Sequence, residues 1–173
     1  MHTARERLEI AARNLANASS DGFRRTVARI ALTAQGLVTG RSVSHEQGAL
    51  RQTGRPLDLA IVGDGSFRVG SETTRNGAFI RDQHGFLADD RGRRVHGANE
   101  FVRVAADGTL LDRIPLPAGS RIVSGALESP NVNAVGEMVA VLDAQRAFET
   151  AQKALVSLDE SRAKAANDVA RLR

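Results

Sequence analysis

Between Ala134 and Leu172 the chain contains no proline, and the one glycine there, Gly136, lies near the start of the stretch. So few helix breakers predict a single α-helix of roughly 55–60 Å at 1.5 Å per residue, longer than a small domain needs. In its second half Phe148, Ala151, Leu155, Leu158, Ala165, Val169 and Leu172 recur in steps of three and four, with Arg162 filling the remaining place. That is a heptad seam, and a seam asks for a partner helix. Val135, Met138 and Leu142 run in the same steps in the first half, then Gln145 takes the next place and Phe148 follows after three residues. The offset reads as a stammer, overwinding one continuous seam. The plainer alternative is an amphipathic helix that closes onto its own domain.

The chain's 173 residues fit one or two domains with a core. Its net charge of +4 comes almost wholly from arginine, since Lys153 and Lys164 are the only lysines among 24 basic residues. A basic balance raises nucleic acid as a partner. Against it, the 20 acidic residues are interspersed with the basic ones, and the only aromatics available to stack on bases are six phenylalanines. Without cysteine the chain has neither disulfides nor thiolate metal ligands. It shows no apolar run near the length of a membrane span and no signal-peptide core, so neither membrane insertion nor an ordinary secretion signal is expected.

At the N-terminus Ala4, Leu8, Ala11, Ala12 and Leu15 share one helix face, while Arg5, Glu6, Glu9 and Arg13 lie elsewhere. This alanine-rich helix is marginal alone and is expected to pack on the C-terminal seam. Ser19-Ser20-Asp21-Gly22 breaks the period, and Phe23, Val27, Ile30, Ala31, Ala34, Leu37 and Val38 resume it, predicting a second helix that ends near Gly40. Asn14, Asn17, Ser19, Ser20 and Asp21 offer many short polar side chains at one helix end, which with Gly22 suggests an elbow able to bend differently against different neighbours, anchored by Phe23.

A polar connector follows from Arg41 to Arg55, and then the period changes to two. Leu57, Leu59 and Ile61 alternate, Asp64-Gly65 turns, and Phe67 and Val69 resume the alternation. From Thr73 to Gly97 short apolar pieces are cut by His84-Gly85 and Arg91-Gly92, a meander of short antiparallel strands; Phe101 to Ala105 predicts another, turned by Asp107-Gly108 into Thr109-Leu110-Leu111. Pro115 and Pro117 close the region. No chemistry emerges from it. His2, His45, His84 and His96 lack metal-ligand spacing, Gly63-Asp64-Gly65 lacks the rest of a nucleotide fingerprint, and Asp89-Asp90 reads as a solvated turn. No catalytic residue, metal ligand or cofactor is expected.

Three stretches carry a family resemblance. Gly125 to Asn133, with Glu137-Met138-Val139 and Ala144-Gln145-Arg146-Ala147-Phe148-Glu149, resembles the C-terminal signature of the bacterial flagellar axial proteins, the rod and hook subunits. Asn14-Leu15-Ala16-Asn17 and Asp21-Gly22-Phe23-Arg24-Arg25-Thr26 are similar to the family's N-terminal signature, and this sequence begins about one helical turn or more later than family members usually do. Gln47 to Ile61 resembles the segment leading into the β-rich domain of hook, distal-rod and proximal-rod subunits, and the short β region points to the proximal-rod type, with the distal-rod type next. The sequence departs from the family at Arg13, Ser66, Pro130 and Gly136, and either Asn131 or Asn133 serves as N-cap of the last helix.

The resemblance implies an α+β fold in which N- and C-terminal helices form a coiled-coil-like region around a small antiparallel β domain. The boundaries expected are a helical region over 1–40, a connector over 41–56, the β domain over 57–124 and the long helix over 125–173. It implies a structural subunit of the flagellar basal-body rod, assembling with copies of itself and other rod subunits in the periplasm, and exported by the flagellar type III apparatus without a cleavable signal. The expected assembly surface comprises Leu8, Ala12, Asn14, Leu15, Asn17, Gly22, Phe23, Val135, Met138, Leu142, Phe148, Leu155 and Leu158. A basic nucleic-acid-binding protein and a secreted β-domain enzyme are the alternative classes.

Overall fold

The computed structural model describes residues 2–33 and 36–171, the side chains of 2, 30, 32, 33, 36–39 and 165–171 excepted. It is an α+β chain whose contacts divide it into two compact units. One contains residues 1–16, 26–43 and 133–173; the other contains 17–25 and 44–132.

The first unit holds helix α1 (His2–Ala16), strands β1 (Thr26–Thr33) and β2 (Gly36–Val43), and helix α2 (Ala134–Arg171). At 38 residues α2 is about 57 Å long, whereas the 15 residues of α1 span only about 22 Å. The two helices pack together, and α1 also touches β1. The last turn of α1 meets the first turn of α2 through Asn14 and Glu137, so the helices run antiparallel from that end. Asn133 is the N-cap of α2, its Oδ1 accepting the Gly136 N–H at 3.1 Å.

The second helix expected over Phe23 to Gly40 is a β-hairpin instead. Strands β1 and β2 pair antiparallel from Thr26 opposite Val43 to Thr33 opposite Gly36. The spacing of Val27, Ile30 and Ala31 imitates a helical face, but Thr26, Val27, Ile30, Thr33, Val38, Thr39 and Val43 are β-branched, and Gly36 and Gly40 weaken a helix further. Composition outweighs period here. Ala34, also assigned to that helix, lies outside the described residues. Arg41 ties the hairpin to α1, its Nη2 donating to Glu9 at 2.9 Å and its Nε to Glu6 at 3.3 Å. These pairs are exposed and contribute orientation more than stability.

The second unit is β-rich. Strand β3 (Leu50–Gln52) pairs with β10 (Ala126–Glu128), β4 (Leu59–Val62) with β9 (Arg121–Ser124), β5 (Phe67–Val69) with β6 (Glu72–Thr74), and β7 (Ile80–Arg81) with β8 (Leu87–Ala88), all antiparallel. Expected alternation appears in β5, where Phe67 and Val69 are buried and Arg68 is exposed. Strand β4 is covered on both faces, with Leu59, Ala60 and Ile61 all buried. Phe67 meets Phe79 edge-on at 5.0 Å between centroids in a core that includes Leu59, Ile61, Leu87 and Val102. Phe101 to Leu111 forms isolated bridges, such as Val104 opposite Leu110, rather than the continuous strands expected.

Aspartates hold the turns. Asp82 Oδ1 accepts the His84 and Phe86 N–H groups at 2.8 Å each, and Asp89 Oδ1 repeats the pattern with Arg91 and Arg93. Burial pushes both carboxyls up, but the backbone amides and the neighbouring Arg94 or Arg93 outweigh it, leaving both below the usual range. Hydrogen bonds from Arg55, Thr109 and Arg103 likewise lower Asp58, Asp107 and Asp112. Since a depressed folded pKa adds stability above the ordinary value near 3.8 and loses it as pH falls through the folded value, urea midpoints should hold from neutrality to about pH 5 and drop at lower pH. A flat profile down to pH 3 would contradict this assignment.

Candidate assembly interface

The joint of the first unit is Asn14, which is fully buried. Its Oδ1 accepts the Thr26 N–H at 2.9 Å and its Nδ2 donates to the Thr26 carbonyl at 2.8 Å, so the side-chain amide pairs with a peptide as a neighbouring strand would. Nδ2 also donates to Glu137 Oε2 at 3.2 Å. Glu137 is itself buried, in the first turn of α2, where unpaired amides favour a negative charge. One side chain therefore links α1, β1 and α2. Asn14→Asp keeps the acceptor but loses both donations and sets two carboxylates together, so unfolding stability should fall by about 2–3 kcal/mol at neutral pH. Recovery of part of that loss in mild acid would confirm the cause; an unchanged urea midpoint would overturn it.

Helix α2 has two apolar faces, not one overwound seam. On a regular helix, at about 100° per residue, Val135, Met138, Val139 and Leu142 point roughly opposite to Glu137, Ala144, Phe148, Ala151, Leu155 and Leu158. The burial follows this division. Glu137 and Ala144 are buried, Phe148 and Ala151 half-buried, whereas Val135, Met138, Val139 and Leu142 are 52–70% exposed. What reads in the sequence as a stammer is the jump from one face to the other.

The packed face then outruns its cover. Antiparallel from the Asn14 end, α1 reaches only to about residue 150 of α2 by rise per residue, and every described position from Gln152 to Lys164 is exposed. Leu155 and Leu158 continue the packed face at 47% and 54% exposure. The side chains of Ala165 and Val169, and Leu172 itself, lie outside the described residues.

The α1 stripe is also shifted. Ile10 and Ala11 are buried, Leu8 and Leu15 half-buried, and Ala12 is exposed, because α1 packs on both β1 and α2 rather than on one seam. Ile10 escapes the sequence reading because it falls outside the alanine stripe.

In the second unit Gly22 is held in place rather than free to bend. Its φ is 72°, its N–H donates to the Glu128 carbonyl at 2.6 Å, and a Cβ there would stand 2.1 Å from the Asn76 nitrogen. Asn17 and Phe23 beside it are half-buried, and Asn17 Oδ1 accepts the Ser20 hydroxyl at 3.3 Å. The Glu128 side chain accepts from Arg75 Nε at 2.7 Å and from the Gly48 N–H at 3.2 Å. Arg75 completes its donations to the carbonyls of Ile61, Gly63 and Gly65 at 2.9–3.0 Å. Gln47 adds a second amide clamp, donating to Ile61 O and accepting from Gly63 N–H. Asn131 takes the Arg25 N–H at 2.6 Å and donates to Glu46 O at 2.8 Å, which occupies it away from the helix cap.

Among the described residues no group of three or more acidic or histidine side chains is placed to hold a metal, and no helix is long and apolar enough to cross a membrane. What the molecule presents is a long helix with uncovered apolar faces and a closely tied β unit, the form of a subunit that works by contact. The family model described as flagellar basal body rod FlgEFG protein C-terminal matches residues 123–168, which take in β10, the α2 cap and most of α2. The chain is 30% identical to the flagellar basal-body rod protein FlgF of Mesorhizobium japonicum over 83% of each chain. It is 28% identical to FlgF of Escherichia coli over 90% of this chain and 89% of that one, and 24% identical to the rod protein FlgG of Agrobacterium fabrum over 92% of each. The chain belongs to the flagellar basal-body rod protein family and is of the FlgF type.

Proposed function

We propose that this structural rod subunit is built into the flagellar rod through the distal half of α2, whose packed face continues as Leu155 and Leu158 beyond the reach of α1. That uncovered continuation is the observation that carries the reading. Exposed leucines at heptad spacing are stabilised by a second helix, and the terminal helices of neighbouring copies or related rod subunits supply one in coiled-coil fashion. Contacts of this kind need not close, so they extend into a helical axial structure able to transmit torque. The chain then acts by contact rather than catalysis, in the periplasmic part of the basal body, after export through the flagellar type III apparatus, with neither nucleic acid nor membrane insertion involved.

Leu155→Asp tests this. Leu155 is about half exposed in the free subunit, so a carboxylate there leaves folding nearly unchanged, but inside an assembled seam it becomes a desolvated, unpaired charge costing several kcal/mol, roughly 2–5. Swimming in cells carrying only the Leu155→Asp chain should collapse while the purified protein unfolds at the wild-type urea midpoint. Normal swimming would show that this face is not an assembly surface.

A further inference from the structure

The proximal half of α2 carries a second apolar patch, formed by Val135 (70% exposed), Met138 (52%), Val139 (53%) and Leu142 (54%). Four adjoining large apolar side chains in water mark a contact surface rather than scattered exposure. From Leu142 to Leu158 and from Val135 to Leu155 the helix turns so that the two patches face roughly 180° apart, with centres about 27 Å apart along the axis.

Resting on the assembly reading above, we propose that the proximal patch is the docking site for the distal patch of a second copy of this chain, Leu155 and Leu158, so that α2 helices stack head to tail with an axial stagger of about 27 Å. The placement of the patches selects this occupant. A two-fold dimer through the proximal patches would turn both distal patches away from the contact and leave them in water. A head-to-tail contact covers one patch of each kind at every junction and leaves one of each free at the ends, so it propagates without closing. Area points the same way. Either patch is far smaller than the roughly 800 Å² per partner of a stable interface, so one junction does not hold two free subunits together, and the contact forms where other rod contacts already align the helices.

The chain has no cysteine, so introduced thiols report the contact without background. Met138→Cys and Leu155→Cys chains, expressed separately and together in cells that assemble basal bodies, are treated with a short thiol-to-thiol cross-linker. The cross-linked dimer should appear when the two chains are co-expressed and with neither alone, and a Met138→Cys/Leu155→Cys double variant should give a ladder. Self-linking by Met138→Cys alone would show a closed dimer on that patch and overturn the proposal. Absence of a mixed product from isolated basal bodies containing both chains would do the same, showing that another rod subunit covers the patch. If Leu155→Asp still blocks incorporation in that case, the assembly reading survives and only the head-to-tail pairing fails.

Discussion

Glu128→Ala should lower the unfolding stability of the chain by about 3–5 kcal/mol, because it leaves the Arg75 guanidinium buried without its counter-charge. Both side chains are almost fully enclosed, at 4% and 2% exposure, and the pair is 2.7 Å apart. Against the roughly 5–15 kcal/mol that holds a typical domain together, such a loss is a large fraction. It corresponds to a drop of about 1–3 M in the urea midpoint followed by circular dichroism. Arg75→Leu should be comparable, since the Gly63 and Gly65 carbonyls lose their Arg75 donor and Glu128 loses its counter-charge while keeping the Gly48 N–H. The double variant Arg75→Leu/Glu128→Leu should lose less than the two single changes summed, because neither buried charge is then stranded. Additive losses, or a shift under about 1 kcal/mol for Glu128→Ala, would mean that the pair is not the knot of the β unit.

Gly22→Ala is the second large effect, and Gly54→Ala is its internal control. The two glycines have nearly the same backbone conformation, φ 72° and 75°, so a methyl group at either meets the same left-handed penalty of roughly 1–2 kcal/mol. At Gly54 nothing lies within 4 Å of the added Cβ, whereas at Gly22 it falls 2.1 Å from the Asn76 nitrogen and 2.3 Å from the Arg75 carbonyl carbon. Backbone cannot move aside as a flexible side chain can. Gly22→Ala should therefore cost several kcal/mol more than Gly54→Ala, roughly 3 or above, or force residues 20–23 off the Arg75–Asn76 turn. The elbow expected from the sequence, able to bend differently at Gly22, gives way to this close packing. Equal losses for the two variants would restore the free elbow.

What could be read from the sequence divides by the range of the interaction. Helix α2 was legible because the absence of proline acts locally, and β5 because Phe67 and Val69 alternate within one strand. The β1–β2 hairpin was not, since an apparent helical period outran the β-branched residues and glycines that oppose it. The two faces of α2 look like one seam in a linear heptad count, and only the uninterrupted rotation of a regular helix separates them. The partners of Asn14 and Glu137, 123 positions apart, and of Arg75 and Glu128, 53 apart, follow from the tertiary fold alone. Asn14, Glu128 and Glu137 fall within the motifs that carry the family resemblance, which marks their positions without saying that they are joints.

The central claim is that the distal half of α2 is uncovered in the free subunit and covered in the rod, and trypsin reads that difference directly. Lys153, Arg162 and Lys164 are exposed cleavage sites in that half. Limited digestion of the purified subunit should cut at these sites before the β unit, where chain ends and open helices yield first, while the same sites in isolated basal bodies should resist under identical conditions. Equal cleavage of Lys153, Arg162 and Lys164 in free subunit and assembled rod would contradict the account.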